Sequence, residues 1–176
     1  LSDWTPGNAD ADRWTTDLGA IEVLNAGSYD EFLAFYLDLL QRGYVTTPTG
    51  VSDSHGYFSS SIGLSTTFFG TGSAVISDWS DDALREALAA RRTVVSRGVF
   101  LATSLDPGSE VSAGAAVEVE ARSASWARVD RLSLLRDGLV VETVDGDTAT
   151  FVLDPEVDAT YFVIAEGDAP MAPLSS

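Results

Sequence analysis

The sequence predicts an α/β part followed by an all-β part, with the change near Arg97. The first part has the pattern of a strand, a helix and a second strand, with another helix further along. After Arg97 no helical period recurs, and short alternating runs are separated by turn residues such as Asp137-Gly138. Short strands at this spacing are typical of a β-sandwich. We therefore expect two domains, an α/β domain over residues 1–98 and an Ig-like β-sandwich over residues 99–176.

The composition limits the classes of partner. The 176 residues carry a formal net charge of −17, with no lysine and no cysteine. Such a chain repels phosphate backbones and anionic lipid, so we expect neither nucleic acid nor a membrane as a partner. The missing cysteines remove disulfides and thiol nucleophiles. The sequence leaves the compartment open, and only the acidity and the missing cysteines suggest a periplasmic or secreted location.

The first predicted strand is Ala20-Ile-Glu-Val-Leu24, in which apolar residues dominate as in a buried parallel strand. Glu22 is unexpected there, because a buried carboxylate is costly unless it is paired. Two interpretations stay open. Glu22 and Asn25 line a site at the carboxyl end of the strand, or Glu22 meets a neighbouring backbone group or an arginine.

The clearest predicted helix spans Ser28–Arg42. Ser28 is a good N-cap, and Asp30 and Glu31 place negative charge in the first turn, where it suits the helix dipole. Gly43 is the expected left-handed stop. Helical spacing gives the segment one apolar face, formed by Phe32, Phe35, Tyr36, Leu39 and Leu40. This aromatic stripe is more typical of a core than of a ligand site.

The next predicted strand, Tyr44–Val51, leads to Asp53 and His55, the only histidine in the chain. Strand, helix and strand in this order imply a right-handed parallel crossover, and ligands in such folds bind beyond the carboxyl ends of the strands. Carboxylate and imidazole together suit a divalent transition ion such as zinc, manganese or iron. Two ligands do not complete a site, however. The alternative is a hydrogen-bonded loop pair in which Asp53 orients the imidazole.

Further elements follow in order. Thr66–Phe69 and Ser73–Ser77 are predicted as short strands, and Ser80 caps a helix over Asp81–Arg92. Its two final arginines complement the helix C-terminus, and the alternative is that they bind an anionic substrate. We assign Trp126 and the other tryptophans to the core. Six strands are predicted after residue 98, namely Val99–Leu105, Ala115–Ala121, Val129–Leu135, Val140–Val144, Ala149–Leu153 and Thr160–Glu166.

Several of these motifs agree with one family. The matching pieces include Ile21-Glu-Val-Leu-Asn25, Leu39-Leu-Gln-Arg-Gly43, Gly50-Val-Ser-Asp-Ser-His55 and Ala87-Leu-Ala-Ala-Arg-Arg-Thr-Val-Val-Ser96. In this order the chain resembles the C-terminal part of a PHP-family (polymerase and histidinol phosphatase) metal-dependent hydrolase, in the branch with a β-sandwich after the barrel. The resemblance implies that residues 1–98 are the last part of a distorted (β/α)7 barrel.

The resemblance also implies a function. The family binds up to three divalent metals and uses metal-activated water, and its Asp-x-His motif carries over to Asp53 and His55 as metal ligands. Glu22 and Asn25 match a segment that lines the site, Glu22 as a contact behind the ligands. The implied activity is that of a hydrolase, a phosphoesterase acting on a small-molecule phosphate ester. The alternative is a non-catalytic binding module built on the β-sandwich.

The departures from the family pattern shape the expected partner. No His-x-His motif precedes His55, and the chain begins at Leu1 without Met or a leader. We therefore expect a processed fragment that holds only the last two barrel strands and is inactive alone. Its expected partner is the N-terminal half of the same barrel, present as a separate cleaved chain.

Overall fold

The computed structural model describes residues 18–25, 29–57 and 63–168, and the expectations for Trp4, Trp14 and Ser28 lie outside them. Within these ranges the chain has ten strands and two α-helices. The elements are β1 (Ala20–Asn25), α1 (Tyr29–Gln41), β2 (Thr47–Val51), β3 (Thr66–Phe69), α2 (Asp81–Ala89), β4 (Thr93–Ser96), β5 (Val99–Thr103), β6 (Ala115–Ser123), β7 (Arg131–Arg136), β8 (Leu139–Asp145), β9 (Thr148–Leu153) and β10 (Tyr161–Glu166).

The predicted parallel crossover is present. β1 and β2 pair in parallel, and α1 connects them. Tyr36, Leu39 and Leu40 are buried on the apolar face of α1, and a small core joins Tyr36 and Leu40 to the β1 residues Val23 and Leu24. Amphipathic packing of this kind, rather than helix propensity, supplies most of a short helix's stability.

The predicted barrel portion is wrong. A barrel is a closed ring of hydrogen-bonded strands, but in the described part of the chain β1 and β2 form a two-stranded sheet and β3 and β4 a separate antiparallel pair. Pro48, in the middle of β2, has no backbone N–H to donate to a further strand. Two other assignments also differ, since β4 was not predicted and residues Ile76–Asp78, where a strand was expected, form a 3-10 turn.

Threonine side chains replace a backbone ladder on the open edge of β2. Thr93 Oγ1 donates a hydrogen bond to the Pro48 carbonyl at 2.9 Å, and Thr67 Oγ1 donates to the Gly50 carbonyl at 2.9 Å. The Gly50 N–H donates to Thr67 Oγ1 at 2.8 Å. A Cβ on Gly50 would lie 2.6 Å from Val95 Cγ1, so glycine is needed for this close approach. The β3–β4 pair therefore rests on β2 without extending its sheet.

The expected all-β character after residue 98 agrees with the structure. Two three-stranded antiparallel sheets, β5-β6-β9 in order and β10-β7-β8, share one core. Alternation along β6 buries Val117, Val119 and Ala121. The predicted Asp137-Gly138 hairpin joins β7 to β8, with positive φ at both residues.

Turns of the all-β part rest directly on both helices. Gly108, between β5 and β6, lies so close to the end of α2 that a Cβ there would overlap the carbonyl oxygen of Ala90. Gly138 approaches α1, where a Cβ would lie 2.5 Å from the Leu37 carbonyl oxygen. The rings of Tyr36 and Phe162 add a contact with centroids 5.5 Å apart. These contacts join the α/β part to the all-β part.

The assignment of the tryptophans to the core is wrong where the structure describes them. Trp126 is 59% exposed in the β6–β7 connection, and Trp79 is 42% exposed. The buried residues of the main core are aliphatic side chains and Phe151. Trp79 instead donates a hydrogen bond from its indole N–H to the Ser73 carbonyl oxygen at 2.8 Å.

Neither described helix has the length and apolar character that crossing a membrane requires.

Tyr29 makes stability depend on alkaline pH. Burial, with the carboxylates of Glu166 and Asp30, raises the pKa of Tyr29 from 10.0 to about 12. The native state therefore keeps the phenol proton at pH values where the unfolded chain has lost it, so the free energy of unfolding falls between pH 10 and about 12. We expect Tyr29→Phe to reduce that loss, as measured by denaturant titration across this range.

Tyr57 provides the matched control for this titration, because its side chain is 99% exposed. Tyr57→Phe removes the same hydroxyl and should leave the pH profile of the wild type unchanged. Burial also raises the pKa of Tyr36, so part of the alkaline loss should survive in Tyr29→Phe. Equal profiles for Tyr29→Phe and Tyr57→Phe would contradict the assignment.

Candidate functional site

Asp53 and His55 lie where the sequence placed them, in the loop that follows β2. The His55 Nε2 atom lies 2.9 Å from Asp53 Oδ1. The His55 side chain is 85% exposed and that of Asp53 is 49% exposed, so both face solvent. Asp53 has a φ of 49°, a left-handed conformation that aspartate tolerates better than most residues.

Glu22 and Asn25 form a second pair at the same end of the parallel sheet. The Asn25 side-chain amide donates a hydrogen bond to Glu22 Oε2 at 2.8 Å, so the Glu22 carboxylate has a hydrogen-bond partner. The partner in this bond is a side-chain amide, not the backbone group or arginine that the second interpretation named. Asn25 pairs in register with Val51, the last residue of β2. Asn25 therefore lies opposite the strand residue that comes two positions before Asp53.

A shift in strand register explains the placement of Glu22. Glu22 pairs with Thr49 but Leu24 pairs with Gly50, so Val23 is an extra residue in β1. Such a bulge breaks the alternation of faces, and Val23 and Leu24 are consequently both buried. Glu22 is left half-buried, with its carboxylate free to turn toward Asn25.

The two pairs do not merge into one metal centre. Among the described residues, no group of three or more histidine, cysteine, aspartate or glutamate side chains could hold an ion. Asp53 and His55 supply the right donor types for a transition metal, but a catalytic zinc normally has three protein ligands. The pair fits part of a coordination sphere and does not by itself complete one.

The helix before the paired arginines ends at Ala89, earlier than predicted, and its last turn holds no basic residue, so the backbone of Arg91 and Arg92 closes the helix end. The Arg92 N–H donates to the Ala87 carbonyl and the Arg91 N–H to the Leu88 carbonyl, with Arg91 at a φ of 57°. This is the pattern of a Schellman end, in which backbone donors satisfy the last carbonyl groups. The Arg92 guanidinium also pairs with Glu86 at 3.1 Å.

Sequence reasoning assigned no role to Ser65 and Arg97, which adjoin the β3–β4 pair. Ser65 precedes β3 and Arg97 follows β4, and Thr66 pairs with Ser96 at that end of the pair. Ser65 Oγ and Arg97 Nε are buried, and neither has a hydrogen-bond partner within residues 18–25, 29–57 and 63–168. The sequence carried no signal for this, since β4 itself was not predicted.

Comparisons with known proteins give no relative. No family model, curated protein or solved structure matches this chain.

Proposed function

We propose that this chain is part of a metal-dependent hydrolase of the phosphoesterase type, in which Asp53 and His55 supply two ligands of a divalent transition ion. The observation that carries the proposal is the pairing of Asp53 Oδ1 with His55 Nε2, which lie 2.9 Å apart in a hydrogen bond, in an exposed loop beyond the carboxyl end of β2. A bound ion would replace this hydrogen bond, because the nitrogen must offer its lone pair to the metal. The resemblance of the Gly50–His55 segment to the PHP family supports the same chemistry.

The proposal requires further ligands from outside the described residues, because the described ones offer no third donor at the pair. We propose that another polypeptide segment, either of the same protein or a cleaved partner chain, provides them. A bound ion would lower the pKa of its water and polarise the scissile oxygen of a phosphate ester. The water oxygen would bond to phosphorus as the P–O bond to the alcohol breaks, and the alcohol would leave with a proton.

The side chains of this chain have separate tasks in the proposal. Asp53 contributes negative charge and His55 a neutral nitrogen. Glu22 is held by the Asn25 amide, which fixes one carboxylate oxygen and leaves the other able to orient a water molecule or a ligand. Because Asn25 adjoins Val51 in the sheet, this carboxylate is positioned by the same two strands that carry the metal pair.

Metal titration tests the proposal. We expect the purified protein to bind Zn²⁺ or Mn²⁺, and expect His55→Ala and Asp53→Asn each to weaken that binding by more than the ~10–100-fold typical of losing an outer-shell partner. Isothermal titration calorimetry and metal analysis of the dialysed protein give affinity and stoichiometry. Hydrolysis of a generic phosphate monoester, with and without the metal, reports on activity in the same samples.

Asp154→Asn is the matched control, since Asp154 is an exposed aspartate after β9, in the all-β part of the chain. It changes the net charge as Asp53→Asn does and should leave metal affinity unchanged. Native mass spectrometry of the same fraction shows whether a second polypeptide accompanies the chain. Wild-type affinity in both His55→Ala and Asp53→Asn would refute the proposed ligands.

A second candidate function, a non-catalytic binding module, rests on a different observation. β8 is an edge strand of its three-stranded sheet, and Leu139, Val140 and Val141 on it are 59%, 62% and 47% exposed. Exposed apolar edges are ready places for another chain to pair. The metal titration separates the two candidates, because a binding module needs no ion at Asp53.

A further inference from the structure

The β3–β4 pair presents one face to β2, and the contacts on that face define a regular series. Thr93 bonds the Pro48 carbonyl, and one step further Thr67 bonds Gly50. Val95, the register partner of Thr67, packs against Gly50 at the same level. Because contacts advance along β4 and β2 together, the two strands run in the same direction. Their carboxyl ends therefore lie at the same edge.

Ser65 and Arg97 adjoin the end of that series. Side chains on a strand alternate between faces, so the alternation continued two positions beyond Thr67 and Val95 reaches Ser65 and Arg97, just outside β3 and β4. The matching step along β2 leads from Gly50 to Ser52, the residue before Asp53. Extended in this way, the series puts Ser65 and Arg97 on the side of the β3–β4 pair that faces the start of the Asp53–His55 loop.

Both side chains at this level carry polar atoms that the described residues do not satisfy. Ser65 is only 3% exposed, and within the described part of the chain its Oγ atom has no hydrogen-bond partner. The same is true of Arg97 Nε. Arg92 also has a buried Nε, but its guanidinium is engaged by Glu86.

An unsatisfied buried donor is costly, and a charged one more so. A bound ligand that completes the bonding is one explanation of such a group. An arginine N–H and a serine hydroxyl are both donors that suit the oxygens of an anion, and the guanidinium has the geometry that phosphate and carboxylate groups accept. The ligand that fits this pair is therefore an oxyanion.

We infer that Ser65 and Arg97 form an oxyanion subsite that binds the phosphoryl group of the substrate beside the Asp53–His55 pair. The inference rests on the proposed function, because the metal pair next to the subsite is what makes a phosphoryl group the expected oxyanion. Arg97 supplies positive charge in a chain whose net charge of −17 would otherwise repel such a substrate.

Calorimetric titration with inorganic phosphate tests the subsite, on the protein as purified, with and without Zn²⁺ or Mn²⁺. We expect wild-type protein to bind phosphate, Arg97→Gln to weaken the affinity by about tenfold or more, and Ser65→Ala by a smaller factor. Arg97→Lys keeps the charge and should restore part of the affinity. Arg136→Gln is the matched control, because Arg136 is an exposed arginine at the end of β7 and its loss changes the net charge equally.

The outcomes distinguish failure of the subsite from failure of the proposed function. If phosphate binding depends on Arg97 but the protein binds no metal, the result supports the subsite and refutes the proposed hydrolase function. Metal binding with phosphate affinity equal in wild type, Arg97→Gln and Arg136→Gln overturns the subsite alone, as does an absence of phosphate binding at millimolar concentration. Acetate at matched ionic strength is the last arm, and acetate binding as tight as phosphate binding overturns the phosphoryl assignment. If circular dichroism shows that Arg97→Gln is unfolded, Arg97→Lys and Ser65→Ala decide by the same titration.

Discussion

Replacing Phe151 by alanine is expected to lower the free energy of unfolding by about 3–5 kcal/mol, the range for removing a buried phenyl ring. Phe151 is fully buried at the centre of the main core, where it pairs with Val117 across the β6–β9 ladder. Leu132 and Leu134 of the opposite sheet belong to the same cluster. The truncation would leave a cavity between two sheets whose backbones are fixed by their own ladders. Equilibrium denaturation in urea gives the change from the transition midpoint and slope.

Val152→Ala is the matched control for Phe151. Val152 follows Phe151 on the same strand but points to the other face and is 59% exposed. Its truncation should cost no more than about 0.5–1 kcal/mol, a value typical of surface positions in strands. A cost for Phe151→Ala no larger than that for Val152→Ala would show that the two sheets do not share the core described above.

Replacing Gly108 by alanine is expected to cost about 2–5 kcal/mol, the sum of two penalties. Gly108 has a φ of 81°, a left-handed conformation in which an alanine methyl group is strained. The new methyl group would also overlap the carbonyl oxygen of Ala90, which is backbone and cannot turn aside. The β5–β6 turn would have to leave the end of α2. Thermal and urea unfolding of the variant measure the loss.

Gly114→Ala is the control that separates the cost of the left-handed backbone from the cost of the contact with Ala90. Gly114 has a φ of 84°, but a Cβ built there has nothing within 4 Å. Its replacement should therefore cost only the conformational part, about 1–2 kcal/mol. The difference between the two variants measures the packing of the β5–β6 turn on α2. If Gly108→Ala costs no more than Gly114→Ala, that packing does not contribute to stability.

Local patterns in the sequence predicted most of the elements but not how the sheets close. Three predicted short-range features are present: the apolar face of α1, the Ser80 cap of α2 and the Asp137-Gly138 hairpin. In the cap, Ser80 accepts a hydrogen bond from the Ala83 N–H. The barrel failed because strand pairing depends on contacts distant in the sequence. Only the structure shows that Pro48 and the threonine contacts end the parallel sheet at β2.

The site could be predicted in the same limited way. Asp53 and His55 are two residues apart, so their spacing alone anticipated the contact. The bond between Asn25 and Glu22 depends on the bulge at Val23, which leaves no mark in a single sequence. The positions of Ser65 and Arg97 are harder still to predict from sequence, because only the pairing of β3 with β4 brings these two positions near each other. Interactions across such pairings require the fold itself.

The contacts of Gly108 and Gly138 with the two helices have a consequence for how the molecule comes apart. A two-stranded sheet is marginal alone, so β1 and β2 need support from outside their own pair. The helices that flank them are held at Leu37 and Ala90 by turns of the all-β part. Loss of either turn would withdraw that support, and the two parts should therefore melt in one cooperative transition. A cut after residue 98 would not release two independently stable pieces.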